Sequence, residues 1–166
     1  MSNRIEYRGF IQSYDAPVNK LTTLVKIKPV LSVDTTLRIK SVELTALWDT
    51  GATISCIKPS VKDMLKLTLV RSSSSVNIAG IGGIVKADVT LLSIFLVYNL
   101  EIEYCPLYVV DFPGSADIII GMDIIGMGDL AVCNADGKTT FSFAIPPFPD
   151  KIDLAAKADA FNKQIR

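Results

Sequence analysis

The chain has 166 residues, 49% hydrophobic and 20% charged, which fits one globular domain with a real core and excludes a disordered chain. Its 17 Lys and Arg balance 17 Asp and Glu, so no net charge steers it to nucleic acid or an anionic membrane. Histidine is absent, which excludes Ser-His and Cys-His nucleophile systems and takes from catalytic zinc its usual ligand.

Three cysteines, Cys56, Cys105 and Cys133, are odd in number and far apart, so neither a zinc knuckle nor a disulfide framework is indicated. They read as buried thiols in a reducing compartment. The opening "MSNRIEYRGF" is too polar for a signal peptide. The longest apolar run, "VTLLSIFLV" at 89–97, is too short to cross a bilayer. The expectation is a cytoplasmic protein with no membrane or nucleic-acid partner, no metal and no cofactor.

In chain order, residues 1–21 read as an N-terminal extension. "LTTLVKIKPV" (21–30) and "TTLRIKSVELTALW" (35–48) are rich in β-branched residues and partly alternate, as strands do, with "LSVD" a turn between them. Pro59 suits the first turn of a helix over "PSVKDMLKL", with Val61, Met64 and Leu65 on one face. "VNIAGIGGIVKADVTLLSIFLV" (76–97) reads as two strands around a glycine cluster, a β-hairpin. "CPLYVVD" (105–111) is a further short strand, and "GMDIIGMG" (121–128) a short helix weakened by its glycines. After the turn "NADGK", "TTFSFAI" (139–145) is the last strand. A proline-rich break at 146–149 leads into a tail that places Leu154, Ala158, Phe161 and Ile165 at helical spacing, capped by Asp150 or Asp153. Such a tail packs by default on its own subunit.

The chemistry centres on "ALWDTGATISCI" (46–57), where an apolar strand runs straight into Asp49. A carboxylate at the edge of a core must be hydrogen-bonded or it takes up a proton. Gly51 permits a tight turn that aims backbone N–H groups at it, Thr50 adds a hydroxyl, and Ala52 leaves room. Alone, Asp-Thr-Gly reads slightly better as a surface turn. Two further stretches change the balance. Gly80, Ile81, Gly82 and Gly83 form a hairpin tip whose backbone can approach a ligand closely. "ADIIIGMDIIG" (116–126) is an apolar strand that stops at Gly121.

In this order the three stretches resemble the retropepsin-like aspartic proteases, over about residues 22–145. Asp49-Thr50-Gly51-Ala52 is similar to the family's catalytic turn, Gly80-Ile81-Gly82-Gly83 to its flap, and Ile118-Ile119-Ile120-Gly121 to the strand behind the catalytic loop. "DTGATIS" and "IIIGMDII" look closer to the cellular and bacterial branch than to the viral enzymes. The resemblance implies a mainly β fold: an acid-protease closed barrel with one or two short helices, a protease domain over 22–145, and a helical tail over 146–166. It implies that Asp49 is the acid/base residue, supported by Thr50, Gly51 and Ala52, with Ile119, Ile120 and Gly121 structural behind it. Ala52 and Ile84 become candidates for the pocket wall, and Trp48 for core or interface as much as pocket. Viral members often pair an acidic residue after the catalytic turn with an Arg after the later Gly. Here those positions hold Thr53 and Met122, so the loop must be braced another way.

The chemistry of this family needs two carboxylates sharing a proton, and the chain contains one Asp-Thr-Gly. The second aspartate would come from another copy, making a homodimer that acts on peptide or protein chains. The competing reading is a non-catalytic dimeric β-module that binds extended peptides in the same groove. A third is a latent precursor regulated through its ends.

Overall fold

The computed structural model describes residues 6–30, 42–70, 76–80, 83–97 and 100–164. The predicted "LSVD" turn, residues 35–41 of the second predicted strand, and Ile81, Gly82 and Ile165 lie outside them. Eleven strands and three α-helices are present among the described residues: β1 (Arg8–Ser13), β2 (Leu21–Pro29), β3 (Val42–Trp48), β4 (Cys56–Ile57), α1 (Pro59–Met64), β5 (Leu69–Val70), β6 (Val76–Gly80), β7 (Gly83–Phe95), β8 (Glu101–Val109), β9 (Ile118–Ile120), α2 (Met122–Ile125), β10 (Asp129–Cys133), β11 (Thr140–Ile145) and α3 (Leu154–Gln164).

Six of these strands close on themselves. β2 pairs β3, β3 pairs β9, β9 pairs β4, β4 pairs β8, β8 pairs β7, and β7 returns to β2. Closure removes the unpaired edges an open sheet would present. The expected mainly β, closed-barrel class with short helices and a C-terminal helix is what forms. β5 and β6 add to β7 outside the ring, and β6–β7 is the predicted hairpin, in register from Val76↔Ala87 to Gly80↔Gly83.

Alternation explains which side chains face inward. Along β2, Thr23, Val25 and Ile27 are buried while Leu24, Lys26 and Lys28 point out. Along β3, Leu44, Ala46 and Trp48 are buried. Thus the apolar approach to Asp49 is a strand with one face in the core.

A second sheet, β1-β11-β10, packs on the barrel. β1 arises within the stretch read as an N-terminal extension and pairs with β11 from Arg8↔Ile145 to Ser13↔Thr140. Its Phe10 meets Phe141, Phe143 and Trp48 with ring centroids 5.7, 6.3 and 5.5 Å apart, and Trp48 lies 5.0 Å from Phe143. Tilted aromatic pairs of this kind each add about 0.5–1.5 kcal/mol beyond their buried area. The Trp48 indole N–H donates to Thr23 Oγ1 at 3.0 Å. Trp48 is therefore core, and it anchors the strand end one residue before Asp49.

The helices are shorter than their patterns suggested. α1 begins at Pro59 and buries Val61, but it stops where Lys66 takes a positive φ of 49°, leaving Met64 exposed. Asp153, not Asp150, caps α3 through Oδ1, which accepts from the Ala156 N–H at 2.9 Å. The default packing of the tail does not occur: every described residue of α3 is exposed. Its spacing offers too little apolar area, chiefly Leu154 and Phe161, to hold it down. No helix among the described residues is long and apolar enough to cross a membrane.

Candidate active site

β3 and β9 run parallel with Trp48 opposite Ile120, so the chain leaves both strands at one level and two turns meet. Asp49, half-buried, begins the first turn. Its N–H donates to the Ile120 carbonyl at 3.0 Å, and its Oδ1 accepts from the Gly51 N–H at 2.9 Å. Asp49 carbonyl oxygen accepts from the Ala52 N–H at 3.1 Å, which closes the turn. A Cβ on Gly51 would stand 3.2 Å from Asp49 Oδ1, tight enough to push on the carboxylate. Gly51 is thus needed for room beside the acid as well as for the turn. Thr50 is exposed and Ala52 half-buried.

β9 fills the space behind. Ile118 and Ile120 are fully buried, and Ile119 is half-buried between Leu47 on β3 and Cys56 on β4. Gly121 is the point of closest approach. A Cβ there would fall 2.6 Å from the Ile54 carbonyl carbon and oxygen and 2.9 Å from the Ala52 carbonyl oxygen. No side chain fits, which is the physical reason an apolar strand must end on glycine here.

The bracing expected in place of the missing Thr53–Met122 charge pair is a Ser–Asp pair. Both Thr53 and Met122 are exposed. Ser55, fully buried, donates from Oγ to Asp123 Oδ1 at 2.6 Å and from its N–H to Asp123 Oδ2 at 2.9 Å. Ser55 Oγ in turn accepts from the Gly121 N–H at 2.9 Å. The Ile124 N–H also donates to Asp123 Oδ1, at 2.9 Å. Around this pair the Met122 N–H donates to the Ala52 carbonyl at 2.8 Å and the Asp123 N–H to the Thr53 carbonyl at 3.2 Å. Four successive residues, Ile120 to Asp123, are therefore bonded to the Asp49–Ser55 loop. Sequence reasoning passed over Ser55 and Asp123. Their only signal was the joint loss of the charge pair.

At its other end β9 is tied down by a second acid. Asp117 Oδ2 accepts from the Thr45 N–H at 2.9 Å, and the Asp117 N–H donates to the Thr45 carbonyl at 2.8 Å. Lys58 Nζ donates to the Gly114 carbonyl at 2.6 Å and lies 5.2 Å from the Phe112 ring centroid, fixing the preceding loop.

The site residues thus fall into two groups. Asp49, Thr50, Gly51, Ala52, Ile119, Ile120 and Gly121 are brought together. Of the flap glycines, Gly80 and Gly83 face each other across the hairpin, while Ile81 and Gly82 lie outside the described residues. Ile84 pairs with Ala79 through its backbone. A groove of about 640 Å³ opens elsewhere, between Tyr14, Thr22, Lys26, Glu43 and Phe95, and includes none of the candidate site residues. Among the described residues no group of three Asp, Glu or Cys converges to hold a metal ion.

Of the three cysteines read as buried thiols, Cys56 and Cys105 are buried behind the site, whereas Cys133 is exposed. Burial, with the Asp123 charge adding to it, pushes Cys56 up to about 11 and Cys105 up to about 12.

A family model described as aspartyl protease matches residues 35–124, more than half of the chain, and the match includes Asp49 and Gly121. No curated protein sequence matches significantly. Among solved structures the chain is similar to the EIAV protease complexed with the inhibitor HBY-793, at 26% identity, covering 68% of this chain and 90% of that one, with a TM-score of 0.49. It is similar to a retropepsin-like aspartic protease from Rickettsia conorii at 14% identity, covering 85% and 98%, with a TM-score of 0.45. The retroviral protease-like domain of Ddi1 from Leishmania major is 15% identical, covering 71% and 91%, with a TM-score of 0.40. By the family match, which spans the strand, the acid turn and the glycine strand behind it, the chain belongs to the aspartyl protease family.

Proposed function

We infer that the protein is an aspartic endopeptidase that works as a homodimer, with Asp49 of each copy meeting at a two-fold axis. One observation carries this reading. Asp49 is held half-buried at the end of a core strand, its carboxylate accepting the Gly51 N–H and its backbone fixed to β9, yet the chain offers it no second Asp-Thr-Gly.

Two such carboxylates brought close cannot both ionise, so the pair shares a proton. The ionised member takes a proton from a water as the water attacks the scissile carbonyl. The protonated member donates to the developing oxyanion, and the roles reverse as the amine leaves. Thr50 supports the loop across the axis, and Gly51 keeps the space beside the carboxylate open. The β6–β7 hairpin, with Gly80, Ile81, Gly82 and Gly83 at its tip, closes over an extended peptide, pairs with its backbone and sheds water. The protease domain spans 22–145, with β1 completing its second sheet.

The test is digestion of a peptide library across pH, with Asp49→Asn as control. Asn retains the shape and the oxygen that accepts the Gly51 N–H, so fold and dimer persist. Cleavage falls by at least about a thousandfold, because general acid–base catalysis is removed. Undiminished cleavage by the variant rules out Asp49. A wild-type dimer that binds peptides without cutting any of them establishes the binding-module reading instead.

A further inference from the structure

The Ser55–Asp123 pair lies outside the roles given above, and its geometry is directional. The Ser55 hydroxyl stands between the Asp123 carboxylate, to which it donates at 2.6 Å, and the Gly121 N–H, from which it accepts at 2.9 Å. That N–H belongs to the residue following Ile120, whose carbonyl holds the Asp49 N–H. The path from Asp123 to the acid is thus one hydroxyl and one dipeptide long. Ser55 is fully buried, so water cannot substitute for its hydroxyl. An O–H···O⁻ bond of this length is among the stronger protein hydrogen bonds, and the carboxylate is further fixed by two backbone N–H groups.

We propose that Ser55 and Asp123 are positioning residues for the Asp49 dyad: the carboxylate orients the Ser55 hydroxyl, and the hydroxyl sets the height of the Gly121 turn and with it the Asp49 carboxylate. The proposal rests on the protease reading. Symmetry magnifies its effect. On a two-fold axis, a displacement of Asp49 in one copy is mirrored in the other, so the gap between the acids changes by twice the displacement. Sharing a proton tolerates little such change. Substrate binding depends on the flap and groove backbone and not on this gap. Loss of the brace therefore falls on the chemical step and spares substrate affinity.

The experiment uses the full chain, a peptide selected from the library, and three variants, each read by kcat, KM and amide hydrogen exchange. Ser55→Ala lowers kcat by roughly ten- to a hundredfold and leaves KM within about threefold. Ser55→Thr keeps the hydroxyl and restores most of kcat. Exchange quickens at Asp49, Gly51 and Gly121 in Ser55→Ala but not in Ser55→Thr, while the β7–β8 ladder keeps its protection. Should Ser55→Ala fail to fold, Asp123→Asn replaces one accepting oxygen with an amide that cannot take the Ser55 N–H, and the same kcat-selective loss is expected. A folded Ser55→Ala or Asp123→Asn enzyme with wild-type kcat overturns the proposal. So does a loss that Ser55→Thr shares in full, or faster exchange across the whole barrel, since either marks general destabilisation. A wild-type chain that cuts no peptide overturns the protease reading and this proposal together. An active wild type with an unaffected Ser55→Ala overturns this proposal alone.

Discussion

The Asp49 loop and α3 are both short segments, and the fold treats them oppositely. The loop is bonded to four consecutive residues of the β9–α2 turn and backed by fully buried isoleucines. α3 has its aspartate cap and its own backbone ladder, and every described residue of it is exposed. What separates them is the environment each meets, since the loop has a strand on either side and a glycine that admits direct backbone contact. A helix of eleven residues is marginal by itself, so α3 persists through its cap and helix-forming alanines more than through packing. Periodicity marks a segment as able to bury a face, and only neighbours decide whether it does.

The contrast breaks most sharply at Gly121. Gly121→Ala forces a methyl group against the Ile54 and Ala52 backbone, and stability falls by about 3 kcal/mol, read as a lower urea midpoint. A midpoint equal to wild type means the two turns slide apart freely, and the loop is then no tighter than the tail.

Alkaline pH probes the same region more gently. Cys56 and Cys105 hold their protons in the folded protein up to about 11 and about 12, whereas the unfolded chain releases them near the ordinary 9.0. A raised folded value contributes stability that is complete below pH 9.0 and is lost as pH rises through about 11. The urea midpoint therefore declines between pH 9 and 10.5, and Cys105→Val makes the decline shallower. An unchanged slope in that variant removes the thiol from the account.

The smallest effect belongs to the tail. Removing residues 150–166 shifts the melting temperature by no more than about 2 °C, as expected from the exposure of every residue from 150 to 164. A larger drop, measured by calorimetry at several protein concentrations, means α3 packs somewhere in solution and the contrast with the loop is overdrawn.

The sequence was most readable where physics is local. Alternating Val, Leu and Ile in β2 and β3, the glycine-centred β6–β7 hairpin, Pro59 at the start of α1 and the Asp153 cap all carry their cause within a few residues. β1, β4, β5 and β10 were not legible. β4 and β5 have two residues each, too few for a period, and β10 follows a glycine-rich helix end. β1 draws its strand character from β11, at the far end of the chain. In the candidate site, Asp49, Gly51 and Gly121 could be singled out because acid and glycine are conspicuous in apolar surroundings. Ser55 and Asp123 could not, because a buried hydroxyl and a surface aspartate are ordinary until a fold puts them 2.6 Å apart.

The placement of β9 has a bearing on biosynthesis. It inserts between β3 and β4, yet it is made long after both, and Asp123 emerges later still. A nascent chain on the ribosome therefore carries Asp49 with nothing behind it, and the turn takes its working shape only when these late residues arrive. The order of translation thus leaves the Asp49 turn unbraced in a half-made molecule until both the strand and the carboxylate behind it have been added.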